Sequence, residues 1–412
     1  MSAGQKERLD PRLMAALCLA ATAGVVNNAA LGPFIPDIAS DFDSSVPVVG
    51  QVAAAAWLMS AFAGIFAGPL ADHYGHRRLL ALGLLLTMTS ALGGALAPGY
   101  WWLVLARVVG GLGFSATVGV AFAIVTMRYS GEARLRAVSI ITSSLSVAAI
   151  LGIPVLTSIA GLLSWRGAWV FVALLAATST LLLVTNVPAT ASGNDGRFRV
   201  RQLIVAYAPL VRARHMVLLF SGVACQGMLF VAALTYIGAY FIDELGLSVQ
   251  QFGLVSAISV SAFFFGSVTA GRLGRLDLRS TFAWTTLVTG ALLLVAFAMP
   301  GGVVVTTALI SVAFFFAGIQ VVNIMTLVAN ETPTGQGTTM VINESIFALG
   351  AAAGAASGGL LIEIGGFRAL GLGMPIIAVL AAVSVWRPGP AMLSEPVIEP
   401  DVSVATAGED VL

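Results

Sequence analysis

Residues 48–98 read VVGQVAAAAWLMSAFAGIFAGPLADHYGHRRLLALGLLLTMTSALGGALAP, two apolar stretches separated by a short charged segment. A helix needs roughly 20 mostly apolar residues to cross a hydrocarbon core about 30 Å thick, and each stretch has that length. The aspartate and the arginines between the stretches belong at a membrane surface. This part of the chain therefore predicts two membrane-spanning helices joined by a tight turn.

The composition of the whole chain agrees with a membrane protein. Of its 412 residues, 58% are hydrophobic and only 9% are charged, and the mean hydropathy is +0.97. Soluble domains carry about 25% charged residues, so this composition excludes a cytosolic enzyme, a nucleic-acid-binding protein and a disordered chain. Lys and Arg number 20 against 19 Asp and Glu, which leaves no net field to attract a nucleic acid. Cys18 and Cys225 lie in apolar stretches, so no disulfide framework is indicated.

Twelve apolar stretches of spanning length follow one another along the chain. Barrel strands would instead alternate over roughly ten residues, so the predicted fold is an all-α integral membrane protein with twelve transmembrane helices. The first run begins at Leu13 and is too long for the core of a cleavable signal peptide. Spans 1 to 12 are predicted near 13–35, 48–71, 78–98, 101–126, 136–162, 166–188, 214–242, 249–272, 280–299, 303–330, 338–364 and 367–386.

The distribution of basic residues predicts the orientation of the chain. With the N-terminus inside, 17 of the 20 basic residues fall on the inner side, as the positive-inside rule requires. We therefore expect a multi-pass protein of the cytoplasmic membrane with both termini in the cytoplasm. The predicted parts are a head (1–12), a six-helix bundle (13–188), a linker (189–213), a second six-helix bundle (214–386) and a polar, disordered tail (387–412).

The two predicted bundles carry a weak sequence repeat. Sliding the second bundle against the first by 203 residues aligns Gly50 with Gly253 and Asp41 with Glu244. Six spans of the same topology in each half predict two pseudo-symmetric bundles, related by an axis along the membrane normal. Chance matching of abundant residue types is the alternative interpretation.

The segment between spans 2 and 3 reads GPLADHYGHRR from residue 68 to residue 78. It resembles the G-x-L-a-D-r-x-G-r-r signature of the major facilitator superfamily and lies in the loop where that family carries it. Asp72 can act as an anion near the N-terminus of span 11, which begins on the same side. Ordinary positive-inside chemistry, the alternative, explains the arginines but not the Gly-Asp-Gly spacing. The resemblance implies a latch between the two bundles formed by Gly68, Asp72, Gly75, Arg77 and Arg78.

Two further segments resemble signatures of the same superfamily. Span 4 contains RVVGGLG from Arg107, similar to R-x-x-x-G-x-g. Span 5 contains Gly152-Ile-Pro154, similar to the glycine–proline signature of the twelve-span proton-coupled drug and sugar exporters. Gly and Pro are commonly adjacent in that signature, whereas Ile153 separates them here, which weakens the inference of export but not that of the fold. Pro154 removes a backbone donor and is expected to bend span 5.

Polar side chains within the spans identify a candidate substrate cavity. An amide at membrane depth is costly and therefore needs a partner or a role. In the resembled family, spans 1, 4, 7 and 10 line the central cavity. Interhelical hydrogen bonding is the alternative role for each amide. The candidate cavity residues are Asn27, Asn28, Gln226, Tyr236, Gln320 and Asn323.

Arg107 is the one basic residue predicted inside a span, where insertion costs about 2.5–3.5 kcal/mol on translocon scales. In the resembled family this arginine is implicated in proton transfer. Because arginine stays protonated in proteins, its expected role is electrostatic, acting on a nearby carboxyl group. The candidate carboxyl groups for proton coupling are those of Asp37 and Glu344. The alternatives are an Arg107 that snorkels to the outer interface and a Glu344 that only stabilises the first turn of span 11.

The predicted function is secondary transport by alternating access, namely proton-coupled export of a small organic solute such as a drug, sugar or metabolite. Solute uptake or uniport is the first alternative, and a membrane-embedded enzyme or non-transporting sensor is the second. The sequence contains no phosphate-binding loop and no HExxH or GxSxG motif, and its histidines lack metal spacing. We therefore expect no enzyme activity, cofactor, metal or nucleic-acid partner. The expected partners are a neutral, cationic or mildly amphipathic substrate, the proton and the lipid bilayer, and a monomer suffices.

Overall fold

The computed structural model describes residues 9–187, 207–272, 277–299, 301–333 and 336–386. Within these ranges the regular structure is helical throughout, which confirms the predicted fold class. The predicted tail, residues 1–8 of the head and residues 188–206 around the linker lie outside the described residues. Spans 2 to 10 are the helices Val46–Tyr74, His76–Ala95, Tyr100–Arg128, Gly131–Leu162, Trp165–Asn186, Arg214–Ala239, Val249–Arg272, Leu278–Ala298 and Gly302–Glu331.

Span 1 is a broken helix. Its first part runs over Pro11–Ala29, a 3₁₀ turn follows at Gly32–Phe34, and a short helix completes the span at Ile35–Asp41. Pro33 and Pro36 lack the N–H group that a continuous helix would need at these positions, so the break falls there. The last carbonyl groups of the first part are consequently left without helical partners.

Spans 11 and 12 are two arms of one helical segment, Gln336–Trp386, that folds back on itself. At 1.5 Å per residue a straight helix of this length would measure about 75 Å, far more than a membrane core. The backbone leaves the helical region at Gly365 and Gly366, and the φ of 64° at Gly366 favours glycine. A Cβ atom on Gly373 would lie 2.8 Å from Leu361 Cδ1, a contact that only a reversed chain can make. Eleven described segments are thus long and apolar enough to span a membrane, and the last contains two spans, as predicted.

The apolar core is shared between the two halves on one side of the membrane and divided on the other. We call the side of Pro11 and Asn186 the inner face and the opposite side the outer face. Toward the inner face, one cluster contains only residues of the first half, and a second only residues of the second half. Toward the outer face, Val231, Ala351 and Ala355 of the second half pack among residues of the first. In the described chain, the halves are therefore joined mainly through their outer parts.

Matching contacts recur in the two halves. Arg77 Nη2 donates to Val184 O at 2.8 Å, and Arg279 Nη1 donates to Val385 O at 2.7 Å, so an arginine at the start of span 3 or span 9 holds the end of span 6 or span 12. Ser60 Oγ and Ser115 Oγ lie 3.1 Å apart between spans 2 and 4. Between the corresponding spans of the second half, 8 and 10, Ser259 Oγ and Ser311 Oγ lie 3.2 Å apart. This correspondence supports the pseudo-symmetric arrangement of the bundles.

Candidate functional site

A cavity of about 280 Å³ lies between the two halves. Eight spans contribute to its wall, namely spans 1, 2, 4, 5, 7, 8, 10 and 11, and nearly all of the side chains are apolar. The wall also contains two short polar side chains, those of Asn28 and Thr235. Seven aromatic side chains form much of the wall: Trp57, Phe114, Phe230, Phe252, Phe263, Phe314 and Phe347.

The aromatic side chains of the wall form two groups, one around Trp57 with rings from both halves and one around Phe230 within the second half. Trp57 makes edge-to-face contacts with Phe114 at 5.8 Å and with Phe347 at 6.1 Å between ring centroids. Phe230 contacts Phe263 and Phe314 at 5.3 and 5.4 Å. Such contacts add to area burial and hold the rings in defined orientations. The cavity therefore offers ring faces and edges to a ligand, with few hydrogen-bonding groups.

The 3₁₀ turn of span 1 closes the cavity toward the outer face. Gly32 and Pro33 line the cavity and also contact span 7. A Cβ atom on Gly238 would lie 2.9 Å from Gly32 O and 3.3 Å from Phe252 Cε1, so no larger side chain fits between the two spans. The break in span 1 thus places backbone, rather than a long side chain, at the outer seal.

Of the six predicted cavity residues, Asn28 is the one that lines the cavity in the described structure. Gln320 Nε2 donates to Thr285 O at 3.0 Å and to Thr289 Oγ1 at 2.6 Å, which ties span 10 to span 9. Tyr236 Oη donates to Ala355 O at 2.7 Å and ties span 7 to span 11. Both side chains thus form interhelical hydrogen bonds, which for Gln320 is the alternative stated above, and their contact with a solute stays a prediction.

The remaining predicted amides are buried and do not line the cavity in the described structure. The side chain of Asn27 is 2% exposed, as are those of Gln226 and Asn323. The amide nitrogens of Gln226 and Asn323 have no hydrogen-bond partner in the described chain. Two buried donors on spans 7 and 10 are therefore available to a new partner if these spans rearrange.

The aromatic wall is the part of the site that the sequence reasoning missed. Runs such as Phe263-Phe264-Phe265 and Phe314-Phe315-Phe316 are more typical of lipid-facing or core positions than of a ligand site. Phe264 and Phe265 are indeed exposed, by 37% and 60%. Phe263 and Phe314, however, line the cavity. Successive residues of a helix point about 100° apart, so one run serves both surfaces and composition alone gives no signal for either.

Arg107 is buried, at 1% exposure, and its partners are carbonyl groups of span 1. Nη1 donates to Asn27 O at 2.7 Å, and Nη2 lies 3.3 Å from Asn28 O and 3.4 Å from Asn28 Oδ1. Trp169 contributes a ring 5.5 Å from the guanidinium and donates from Nε1 to Ala30 O at 3.2 Å. The guanidinium thus satisfies the orphan carbonyls at the break of span 1, where the negative end of the helix dipole favours a cation.

The two predicted coupling acids lie apart from Arg107. Asp37 is half-buried in the short helix at the outer end of span 1. Glu344 lies in the inner half of span 11, and its side chain is exposed. Neither acid is among the hydrogen-bond or ion-pair partners of Arg107 in the described chain. Any effect of Arg107 on these acids must therefore pass through span 1 or across the cavity.

The predicted latch residues lie at the inner ends of spans 2 and 3. Gly75 separates the two helices with a φ of 93°, a conformation that L side chains rarely adopt. Asp72 Oδ1 lies 3.4 Å from His76 Nε2, and the Asp72 side chain is 75% exposed. A Cβ atom on Gly68 would lie 3.9 Å from Val341, so span 2 meets span 11 at this level. Arg77 holds span 6 as described above, and Arg78 is exposed.

The predicted span 5 motif lies where span 5 contacts both its own half and the other. Gly152 faces Val26 of span 1, whose Cγ2 atom would be 3.3 Å from an added Cβ. Pro154 Cα lies 3.2 Å from the corresponding Cβ position of Gly253 in span 8. The carbonyl of Pro154 accepts hydrogen bonds from Thr157 Oγ1 at 3.0 Å and from Ser158 Oγ at 2.8 Å.

The described residues contain no group of His, Cys, Asp and Glu side chains that could hold a metal ion.

Comparison with known proteins identifies the family to which this architecture belongs. The model of the Major Facilitator Superfamily matches residues 17–339, with a second match over residues 239–401. The uncharacterized MFS-type transporter YwfA of Bacillus subtilis (strain 168) is 24% identical over 379 residues, 89% of this chain and 90% of the relative. Multidrug resistance protein D of Escherichia coli (strain K12) is 24% identical over 327 residues, 76% of this chain and 79% of the relative.

A solved structure shows the same fold. The crystal structure of D-xylose-proton symporter superposes with a TM-score of 0.71 at 15% identity, over 92% of this chain and 98% of that chain. The family match confirms the resemblance drawn from residues 68–78, and together the comparisons point to a transporter rather than an enzyme. The chain belongs to the Major Facilitator Superfamily.

Proposed function

We propose that this protein exports a small organic solute with an apolar, aromatic body, in exchange for protons and by alternating access. The observation that carries the proposal is the aromatic cavity between the two halves, closed toward the outer face by the 3₁₀ turn of span 1. A cavity of about 280 Å³ approaches the size of small-molecule binding sites. Its apolar wall favours ligands that lose little hydration when they enter.

The divided inner core supports the alternating-access part of the proposal. The outer parts of the halves pack together, whereas the inner clusters belong to one half each. A rocking motion that separates the outer parts would open the cavity to the other side. The latch residues at the inner ends of spans 2 and 3 would then hold the inner parts together, with Gly68 against Val341 of span 11 as the first contact.

Proton coupling is proposed to involve Arg107, Asp37 and Glu344. Arg107 holds one side of the break in span 1, and Asp37 lies just beyond that break. Movement of the turn between them would open or close the outer seal. The same movement would change the surroundings of the Asp37 carboxyl. Glu344 provides a second carboxyl, exposed in the inner half of span 11.

Purified protein in liposomes tests direction and coupling together. The strongest ligand from a thermal-shift screen of aromatic solutes is added outside liposomes whose interior is more acidic than the bath. An exchanger then accumulates the ligand in the lumen as protons leave. Accumulation under the opposite gradient contradicts exchange and indicates symport, and equilibration without accumulation indicates uniport. Omitting the gradient is the control.

A further inference from the structure

Glu344 combines two properties that are rarely found together in a membrane helix. Its side chain is exposed, in the inner half of span 11. Its carboxylate forms no ion pair with the residues that the structure describes. A charged group at membrane depth is costly unless it faces water or a partner, so the surroundings of this side chain decide its role.

The helix geometry places Glu344 on the side of span 11 that faces the other half. Leu349 and Ala353 are exposed toward the surrounding lipid, and they point about 140° and 180° away from Glu344. Ala351 and Ala355, in contrast, follow Glu344 on nearly the same side of the helix, at about 20° on either side of it. Both alanines are buried in the outer cluster against residues of the first half. Glu344 therefore faces the first half at the level where the two inner cores have separated.

Glu344 also lies next to the cavity. Phe347, one turn further along span 11, lines the cavity wall and contacts the ring of Trp57. Side chains three residues apart on a helix are neighbours, with Cβ atoms about 5–6 Å apart. Because helical side chains lean toward the N-terminus, the carboxylate points from the cavity toward the inner face. It therefore lies at the inner mouth of the cavity, on the path between the cavity and the inner side.

We propose that Glu344 is a ligand-binding residue that makes this transporter selective for amphipathic organic cations. The inference rests on the function proposed above, in that it takes the aromatic cavity to be the substrate site. An aryl or alkyl body would occupy the cavity among Trp57, Phe347 and Phe230, and its cationic group would lie at the mouth against the Glu344 carboxylate. Aromatic rings attract cations through their faces, so the wall reinforces the same preference.

Equilibrium binding to the purified full-length protein in nanodiscs of zwitterionic lipid tests this proposal without any ion gradient. The probes are the (4-naphthylbutyl)trimethylammonium ion and its uncharged isostere, in which a carbon atom replaces the nitrogen. Binding to empty nanodiscs is subtracted. The variants are Glu344→Gln, which removes the charge, and Glu344→Asp, which keeps it. Glu363→Gln is the matched control, since it removes another exposed acid of the same span, near the outer face.

We expect Glu344→Gln to weaken binding of the cation about tenfold and to leave binding of the isostere unchanged. Glu344→Asp should retain most of the preference, and Glu363→Gln should behave like the wild type. Equal affinity of the wild type for the two probes, or undiminished cation binding by a folded Glu344→Gln protein, overturns the proposal. Failure of both probes to bind overturns it as well. Gradient-driven accumulation of another solute would then leave the export function standing, so the two failures are distinguishable.

Discussion

At the scale of single residues, Arg107 shows how a charge can be accommodated in the middle of a membrane protein with no acidic partner among the described residues. Its guanidinium holds the carbonyls of Asn27 and Asn28 at the break of span 1. The planar fork suits two acceptors at once, which an ammonium group cannot reproduce. Arg107 is therefore a positioning residue in this structure, and any coupling role would act through the turn that it holds.

Replacing Arg107 should reduce both stability and gradient-driven transport. Arg107→Ala leaves buried carbonyls without partners, and each such group costs about 1–3 kcal/mol. Arg107→Lys should recover part of the stability but not transport, because the turn of span 1 is no longer held at two points. Thermal unfolding in detergent and pH-driven accumulation in liposomes measure the two effects.

Arg166→Ala is the matched control for this prediction. Arg166 pairs with Asp41 at 2.5 Å on the outer face, and the two side chains are 39% and 42% exposed. Exposed pairs contribute about 0–1 kcal/mol, so this variant should unfold close to the wild type. The positioning role would be excluded if a folded Arg107→Ala protein had the same midpoint of thermal unfolding as Arg166→Ala and transported normally.

At the scale of helices, close approach between spans depends on glycine at particular points. Gly111 of span 4 packs against Ala56 O of span 2, and an added Cβ would also lie 3.1 Å from Ser60 N. Small residues at such points let helix backbones approach in lipid, where no hydrophobic force draws helices together. The Ser60–Ser115 hydrogen bond lies beside the same contact.

Gly111→Ala should therefore separate spans 2 and 4 and lower the stability by about 1–3 kcal/mol, the usual cost of overpacking. Gly119→Ala provides the comparison within the same helix, because Gly119 has nothing within 4 Å of an added Cβ. That variant should be neutral or gain up to about 1 kcal/mol, since alanine favours helix. Midpoints of thermal unfolding give the answer, and equal midpoints for the two variants would contradict the packing argument.

At the scale of the whole molecule, the sequence predicts the architecture better than the site. Hydropathy and the positive-inside pattern act over about 20 residues at a time, so the spans could be predicted within a few residues. The cavity wall could not be predicted in this way. Phe263 and Phe264 are the same residue type and differ only in the direction in which their side chains leave the helix. The partners of Arg107 could not be predicted either, since they depend on where span 1 breaks relative to span 4.

The joined outer parts of the halves provide a test of alternating access. An added Cβ on Gly161 of span 5 would lie 2.9 Å from Gln250 Cγ of span 8. Because Cγ is one bond of about 1.5 Å from Cβ, the two Cβ atoms lie no more than about 4.5 Å apart, which a disulfide can bridge. In a background without Cys18 and Cys225, oxidation of a Gly161→Cys, Gln250→Cys protein should abolish transport. Reduction should restore it, because the outer parts can then separate again.

A cross-link within one half is the control for this experiment. Ser60 Oγ and Ser115 Oγ lie 3.1 Å apart on spans 2 and 4 of the first half. Oxidation of a Ser60→Cys, Ser115→Cys protein should leave transport intact, since those spans move together. Undiminished transport by the oxidised pair across the halves would argue against a rocking motion.

The separate inner cores bear on how the chain is assembled during synthesis. Among the described residues, the inner cluster of the first half draws on those from Leu9 to Val187 and on none that follow. A ribosome that has delivered these residues to the membrane has therefore supplied everything that this core requires. Multidomain chains generally fold unit by unit from the N-terminus. The first bundle can thus complete its inner packing before the second leaves the ribosome, and only the outer contacts must wait for the full chain.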